Sequence, residues 1–234
     1  MKIQDTVALV TGANRGLGLA FAKGLLAAGA RKVYAAARDP HTVDIPGVIV
    51  VKLDVTNAED IARAARELRD VNVLINNAGI AQGDDVLSAN ALATARAHFE
   101  TNVFGPLALS QAFAPTLAYN GGGAIVNVLS ALSWISFPSV PTYSASKAAM
   151  WSLTNGLRNG LRAQKTQVVG VHVGYMDTDM ASHVSGPKTK PQDVAAQVIA
   201  ALAEGRDEVL ADEVTRQIKS GLSAEPGVYL GAVG

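Results

Sequence analysis

Apolar positions along this chain fall into two alternating rhythms. Short runs of four to six mostly apolar residues, at 7–10, 32–37, 48–53, 71–75, 124–129 and 168–173, have the length expected of strands buried on both faces. Longer segments between them read as helices, at 15–28, 56–68, 90–119, 142–163 and 189–204, with a last short strand at 208–211. Gly29 marks the stop of the first helix, and Gly121-Gly122-Gly123 breaks the chain after the third. Thr56-Asn57-Ala58-Glu59 and Thr189-Lys190-Pro191-Gln192 read as capping boxes that open the second and last helices. Strands alternating with helices predict an α/β fold with a doubly wound parallel sheet covered on both faces. One connection departs from this plan. Only nine residues separate Arg38 from Val48, and they include Pro40, Pro46 and Gly47, so a loop or single turn is expected there in place of a crossover helix. No internal repeat, low-complexity tract or linker interrupts the pattern, and residues 1–234 read as one domain.

Composition narrows the classes of function. Twenty basic residues balance twenty acidic ones, which argues against a general nucleic-acid binder. Cysteine is absent, removing disulfides, thiolate metal sites and thiol nucleophiles. The four histidines, His41, His98, His172 and His183, lie apart in sequence without metal-ligand spacing. The N-terminal residues lead almost at once into a strand, and no apolar run approaches a membrane span. A cytoplasmic setting with no membrane partner is the expectation.

Three segments carry candidate chemistry. Thr11-Gly12-Ala13-Asn14-Arg15-Gly16-Leu17-Gly18 lies between the first strand and its helix. Missing side chains at Gly12, Gly16 and Gly18 let backbone amides approach a phosphate, and a helix N-terminus favours its negative charge. Asn76-Asn77-Ala78-Gly79 ends the fourth strand. In a sheet ordered 3-2-1-4-5-6, strands one and four flank the switch point where a dinucleotide binds, so both turns open on one crevice. The third segment is Tyr143-Ser144-Ala145-Ser146-Lys147, which puts a phenol and an ammonium on one helix face. A phenol titrates near pH 10. An ammonium about 4 Å away, at an effective dielectric of about 20, favours the phenolate by about 4 kcal/mol. That is roughly three pK units, enough to bring Tyr143 toward neutrality as an acid or base. Of the five tyrosines, only Tyr143 has a lysine at this spacing.

Taken in order, the T-G-x-x-x-G-x-G turn, the N-N-A-G turn, an asparagine in mid-helix at Asn102, a serine after the fifth strand at Ser130 and the Tyr143/Lys147 pair resemble the short-chain dehydrogenase/reductase family, in its compact single-domain branch. The resemblance covers nearly the whole chain. It implies a Rossmann-like sheet of about seven strands in the order 3-2-1-4-5-6-7, and hydride transfer between a nicotinamide cofactor and a carbonyl or secondary alcohol. Tyr143 is then the proton donor, and Ser130, thirteen residues earlier, steadies the same substrate oxygen. Lys147 lowers the tyrosine pKa and holds the nicotinamide ribose, and Asn102 supports a proton relay. Ser133 and Ser136 lie near the same strand end; position favours Ser130.

The same resemblance assigns cofactor contacts to Gly12, Asn14, Arg15, Gly16, Leu17, Gly18, Arg38, Asp54, Val55, Asn76, Ala78, Gly79, Gly174, Met176 and Thr178, besides Tyr143 and Lys147. It places Ile80, Leu132, Trp134 and Met180 around the substrate. Asp54 reads equally as an aspartate opening the second helix. Val173 stands where the family has proline ahead of Gly174, which puts the rigidity of that nicotinamide clamp in question. Ala37 occupies the place of the carboxylate that selects NAD, with Arg38 next and Arg15 nearby, so NADP(H) is expected. A one-residue slip would make Asp39 that carboxylate and the enzyme an NAD-dependent alcohol dehydrogenase. A nucleotide-sensing protein without catalysis is the other alternative; such proteins tend to lose the tyrosine or lysine. A lyase of the same fold would carry arginine in the place of Lys147.

Small residues Ala145, Ala149, Ser152, Gly156 and Gly160 along the Tyr143 helix allow close approach of another helix. The family pairs this helix and the 90–119 helix with symmetry mates, so a homo-oligomer, tetramer or dimer, is expected. Residues 179–188 form only a short lid, predicted to leave an open pocket walled by Leu132 and Trp134.

Overall fold

The computed structural model describes residues 1–182 and 184–231. Seven parallel strands form one sheet in the order β3-β2-β1-β4-β5-β6-β7. They are β1 (Val7–Thr11), β2 (Lys32–Ala37), β3 (Ile49–Lys52), β4 (Val73–Asn76), β5 (Ala124–Val128), β6 (Gln167–His172) and β7 (Glu208–Leu210). The helices are α1 (Gly16–Ala27), α2 (Ala58–Glu67), α3 (Ala91–Phe99), α4 (Gly105–Tyr119), α5 (Pro141–Gly160), α6 (Pro191–Glu204) and α7 (Glu213–Ser220). The expected doubly wound order is therefore present.

Period-two alternation sorts each strand between two cores. In β1, Ala8 and Val10 join Phe21 and Leu25 of α1 and Val194, Val198 and Leu202 of α6 on one face. Val7 and Leu9 join Ile61 of α2 and Leu109, Phe113 and Leu117 of α4 on the other. The neighbouring strands repeat the division, with Ile75 and Val126 on the first face and Leu74 and Ile125 on the second. The central strands read as continuous apolar runs because both of their faces are covered.

The β2–β3 connection is the exception the prolines predict. It contains a single 3₁₀ turn, Pro40–Thr42. With no crossover helix over this edge, Ile49 and Val50 of β3 remain 47% and 41% exposed.

Local chemistry shifts several boundaries. Thr56 does not cap α2. Its hydroxyl donates to Asp54 Oδ1 at 2.8 Å, and Asn57 Oδ1 takes the cap, accepting from the N–H groups of Glu59 and Asp60. Likewise Thr189 does not cap α6: Lys190 precedes Pro191, whose missing N–H needs no cap. Thr189 instead pairs with Met176 as an isolated parallel bridge. The 90–119 segment is helical throughout but contains a π turn, Glu100–Phe104, between α3 and α4. Gly105 follows it, at a point where a Cβ would lie 2.7 Å from the Val55 carbonyl oxygen. Helix α7 was absent from the sequence expectation.

His172, the last residue of β6, is fully buried. Its Nδ1 lies 3.2 Å from the Ser130 carbonyl, an acceptor only, so Nδ1 carries the proton. Its ring stacks on Trp134 with centroids 3.9 Å apart. Burial pushes the His172 pKa down to about 4. The unfolded chain takes up this proton near pH 6.5, whereas the native ring refuses it until about 4. The resulting stability is fully present above pH 6.5 and is lost as pH falls toward 4, by up to about 3 kcal/mol. Replacement His172→Phe keeps the stack and removes the proton site. The melting temperature of this variant should fall less than that of the wild type between pH 7 and 4.5; an equal fall would place the acid sensitivity elsewhere.

Candidate active site

At the carboxyl ends of β1 and β4, two turns are stapled together by Thr11 and Asn77. The Thr11 hydroxyl donates to the Ile75 carbonyl at 3.2 Å and accepts from the N–H groups of Asn77 and Ala78, each at 3.0 Å. Asn77 Nδ2 returns hydrogen bonds to the carbonyls of Thr11 (2.8 Å) and Gly12 (3.2 Å). The approach is so close that a Cβ on Gly18 would sit 2.1 Å from the Gly12 oxygen. Gly12 also holds φ +63°, in the left-handed region. Helix α1 begins here behind Arg15, whose side chain makes no cap. Its first-turn N–H groups therefore meet a phosphate without competition from the chain's own cap. Glycines that admit this close backbone approach, ahead of uncapped first-turn amides, fit a dinucleotide pyrophosphate.

Asn76 behaves differently from its neighbours. Its side chain is buried, with Nδ2 donating to Asn127 Oδ1 at 2.9 Å and Ser110 Oγ at 3.2 Å, and Asn127 Nδ2 continues to Thr154 Oγ1 at 3.0 Å. That amide ladder ties β4, β5, α4 and α5 beneath the crevice. The Asn76 side chain serves the fold, which leaves its backbone at the strand end as the part that faces the crevice.

On the adenosine side, Arg38 follows β2 and is exposed, and Arg15 pairs with Asp179 at 3.1 Å with both side chains largely in solvent. Asp39 Oδ1 accepts from the His41 N–H at 3.0 Å, capping the Pro40–Thr42 turn. Asp54 Oδ1 accepts from the N–H and hydroxyl of Thr56, so one of its oxygens serves the chain entering α2. Val55 beside it is buried.

Ser130 stands two residues beyond Val128, the last of β5, and Tyr143 and Lys147 lie on the first turns of α5. The Ser130 hydroxyl oxygen accepts from the Leu132 N–H at 3.1 Å, leaving its own proton to donate. Lys147 is buried and donates to the Val128 carbonyl at 2.8 Å. Its Nζ lies 5.7 Å from the centre of the Tyr143 ring. Burial pushes the Tyr143 phenol up to about 12, with the Ser130 hydroxyl pulling against that shift. Burial also pushes the Lys147 amine down to about 8. The direction is opposite to the one expected from Lys147: burial is the largest cause, and Lys147 is not among the groups that shift the phenol.

Asn102 occupies the middle of the π turn. Its Oδ1 accepts from the Ile80 N–H and its Nδ2 donates to the Ile80 carbonyl, each at 2.9 Å, with a further bond to Ser146 Oγ at 3.1 Å. It thereby joins the segment after β4 to the helix that carries Tyr143.

After β6, the chain around Gly174 is held by a residue the sequence reading missed. Asp212 Oδ2 accepts from the Gly174 N–H at 2.6 Å, while Oδ1 caps α7 through the Thr215 N–H at 2.9 Å. The only advance signal was the Asp212-x-x-Thr215 spacing of a capping box. This bond restrains the segment where Val173 replaces a proline. Thr178 lies against the glycine turn, 3.3 Å from where a Gly16 Cβ would stand. Met180 is 48% exposed on the short Asp179–Ala181 turn. Of the lid, His183 lies outside the described residues.

Leu132 and Trp134 do not form the predicted open wall. Both are only 9% exposed, and Trp134 packs against His172 and Trp151 in a cluster with Ile218 of α7. The unforeseen helix α7 covers this side.

A glycine-lined turn, a half-buried phenol beside a buried amine and a hydroxyl donor at the same sheet end suit polarisation and protonation of a carbonyl oxygen beside a dinucleotide. A family model of short chain dehydrogenases matches residues 6–188. A short chain dehydrogenase from Burkholderia cenocepacia, solved in complex with NADP, superposes with a TM-score of 0.92 at 43% identity, covering 97% of this chain and 96% of that one. A short chain dehydrogenase/reductase from Burkholderia phymatum, solved with NAD, gives a TM-score of 0.84 at 25% identity, over 100% and 99% of the two chains. Dehydrogenase/reductase SDR family member 7B of Xenopus tropicalis is 30% identical over 89% of this chain and 77% of its own length. By that match and those superpositions, the chain belongs to the short-chain dehydrogenase/reductase family.

Proposed function

We propose that residues 1–234 act as one catalytic domain transferring a hydride between NADP(H) and a small-molecule carbonyl or secondary alcohol. The observation that carries this reading is the convergence of Ser130, Tyr143 and Lys147 at the strand ends that also hold the stapled glycine cradle. Bound NADP(H) would supply or accept the hydride. Gly12, Asn14, Gly16, Leu17 and Gly18 would hold its pyrophosphate, Asp54, Val55, Ala78 and Gly79 its adenosine side, and Gly174, Met176 and Thr178 its nicotinamide. Ile80 and Met180 would border the substrate.

Tyr143, held protonated by burial up to about 12, donates its proton to the oxygen that becomes the alcohol. Ser130 donates a hydrogen bond to that oxygen, and such a preorganised donor acts where charge develops. Lys147, below its pKa of about 8, carries the positive charge that favours the phenolate left behind. Tyr143→Phe should lower kcat by about a hundredfold or more, the usual scale for an acid–base group, with NADP(H) affinity kept. Near-wild-type kcat in this variant would refute the assignment.

The coenzyme preference rests on Arg38 and Arg15. No carboxylate ends β2, and Asp39 is engaged with the His41 N–H. The Arg15–Asp179 pair is exposed, and such pairs contribute about 1 kcal/mol or less, so Arg15 remains free to meet a 2′-phosphate. The solved NADP complex of the Burkholderia cenocepacia relative supports the same choice. NADPH should exceed NADH by about tenfold in kcat/KM, about 1.4 kcal/mol. Equal turnover with NADH would overturn the preference.

A homo-oligomer, tetramer or dimer, completes the proposal. Ala145, Ser152, Gly156 and Gly160 on α5 are exposed, and a Cβ on either glycine would meet nothing within 4 Å. Leu92 and Phe104 on the adjoining α3–α4 segment are 63% and 48% exposed. Light scattering at micromolar concentration should report an oligomer; a monomer would sink this part.

A further inference from the structure

His98, on the last turn of α3, is fully buried yet belongs to no part of the machinery above. Both ring nitrogens are engaged. The Gln82 N–H donates to Nε2 at 2.9 Å, and Nδ1 lies 2.8 Å from Thr142 Oγ1. A backbone N–H can only donate, so Nε2 is the bare nitrogen and Nδ1–H donates to Thr142. Thr142 is the residue before Tyr143, and the His98 ring meets the Tyr143 ring edge-on with centroids 5.9 Å apart. Gln82 belongs to the segment that leaves the 76–79 turn on the substrate side. That segment is pinned at three places: Ile80 by Asn102, Gln82 by His98, and Asp84 through its N–H to the Ser139 carbonyl at 3.0 Å. Two of these pins reach α5: Asn102 at Ser146, and His98 at Thr142, the residue that precedes the proton donor. An apolar side chain could fill the same volume but could not fix a direction at both ends.

We propose that His98, as the neutral Nδ1–H tautomer, is a positioning residue that clasps the 80–84 segment to Thr142 and so fixes Tyr143 relative to the bound substrate. This rests on the reading of Tyr143 as the proton donor. Three ionisable groups face His98: Asp84 from the loop, and Lys147 and Tyr143 from α5. Burial and Lys147 hold its pKa below the ordinary 6.5 while Asp84 opposes them. Asp84 has both carboxylate oxygens buried without a hydrogen-bond partner. Protonation of His98 at acid pH would set a ring N–H against the Gln82 N–H and open the clasp.

The test has one arm independent of turnover. Long-range ¹H–¹⁵N correlation at pH 7 should show the His98 Nδ1–H tautomer and a slowly exchanging Gln82 amide, and an Nε2–H tautomer would overturn the clasp whether or not any carbonyl is reduced. In the kinetic arm, His98→Leu should lower kcat by about tenfold while changing NADP(H) affinity by less than about twofold. His98→Gln, which keeps an acceptor but cannot titrate, should recover part of that rate. It should also lose a one-proton acid limb of kcat/KM lying below pH 6.5 in the wild type. If His98→Leu fails to fold, His98→Gln decides: wild-type kcat together with an unchanged acid limb would refute the positioning role. Absence of carbonyl reduction in a wild type that retains the tautomer and the slow Gln82 amide would count against the proposed reaction, with the clasp intact.

Discussion

Every functional feature of this chain hangs on the Thr11 hydroxyl. It uses its one proton on the Ile75 carbonyl and its lone pairs on two backbone N–H groups, so a single buried oxygen satisfies three groups at the ends of β1 and β4. Without that staple, two turns rich in glycine and asparagine would be free to separate, and such turns cost conformational entropy to order. With it, Gly18 can pack on the Gly12 carbonyl at a distance that no side chain tolerates. The crevice is narrow because β1 and β4 are adjacent in the sheet while their helices leave on opposite faces, α1 on one and α4 with α5 on the other.

The second half of the site is built by burial. Desolvation drives Tyr143 and Lys147 toward their neutral forms, with values of about 12 and 8. A phenol is protonated at neutral pH at its ordinary value too, so burial does not create that form; it makes the phenol a weaker acid. The fold tolerates this because the polar groups around the pair are already served. Lys147 meets the Val128 carbonyl, Asn102 closes on Ile80, and Asn76, Asn127 and Thr154 bond one another below. Such buried networks hold a geometry when nearly complete and are costly when broken.

Much of this was legible in the sequence. Strands buried on both faces leave apolar runs, a pattern that the largely exposed edge strand β3 shares, and glycine turns follow β1 and β4. The prolines between β2 and β3 exclude a helix there. What escaped depends on partners distant in sequence. His98 is joined to Thr142 across 44 positions, and Asp212 to Gly174 across 38, so no local spacing announces either. Helix α7 spans Glu213–Ser220, with Ile218 and Thr215 its buried residues, shorter than the stretch over which a helical period is read. Trp134 looked like a pocket wall only because the helix covering it was unseen. The π turn around Asn102 leaves no periodic trace. Its consequence does, in Gly105, where the chain passes against Val55.

Helix N-termini in this chain are served in different ways. Among the described residues, α2 begins on an Asn57 cap and α7 on an Asp212 cap, while α4, α5 and α6 carry proline in the first turn. Each device removes or satisfies an N-terminal donor. Helices α1 and α3 have neither: Asn90 makes no side-chain cap on α3, and at α1 Arg15 turns its side chain outward to Asp179. Forgoing a cap sacrifices about 1 kcal/mol of helix stability. Of these two ends, that of α1 lies directly behind glycines that bring the backbone close, the arrangement in which an anion can complete the turn.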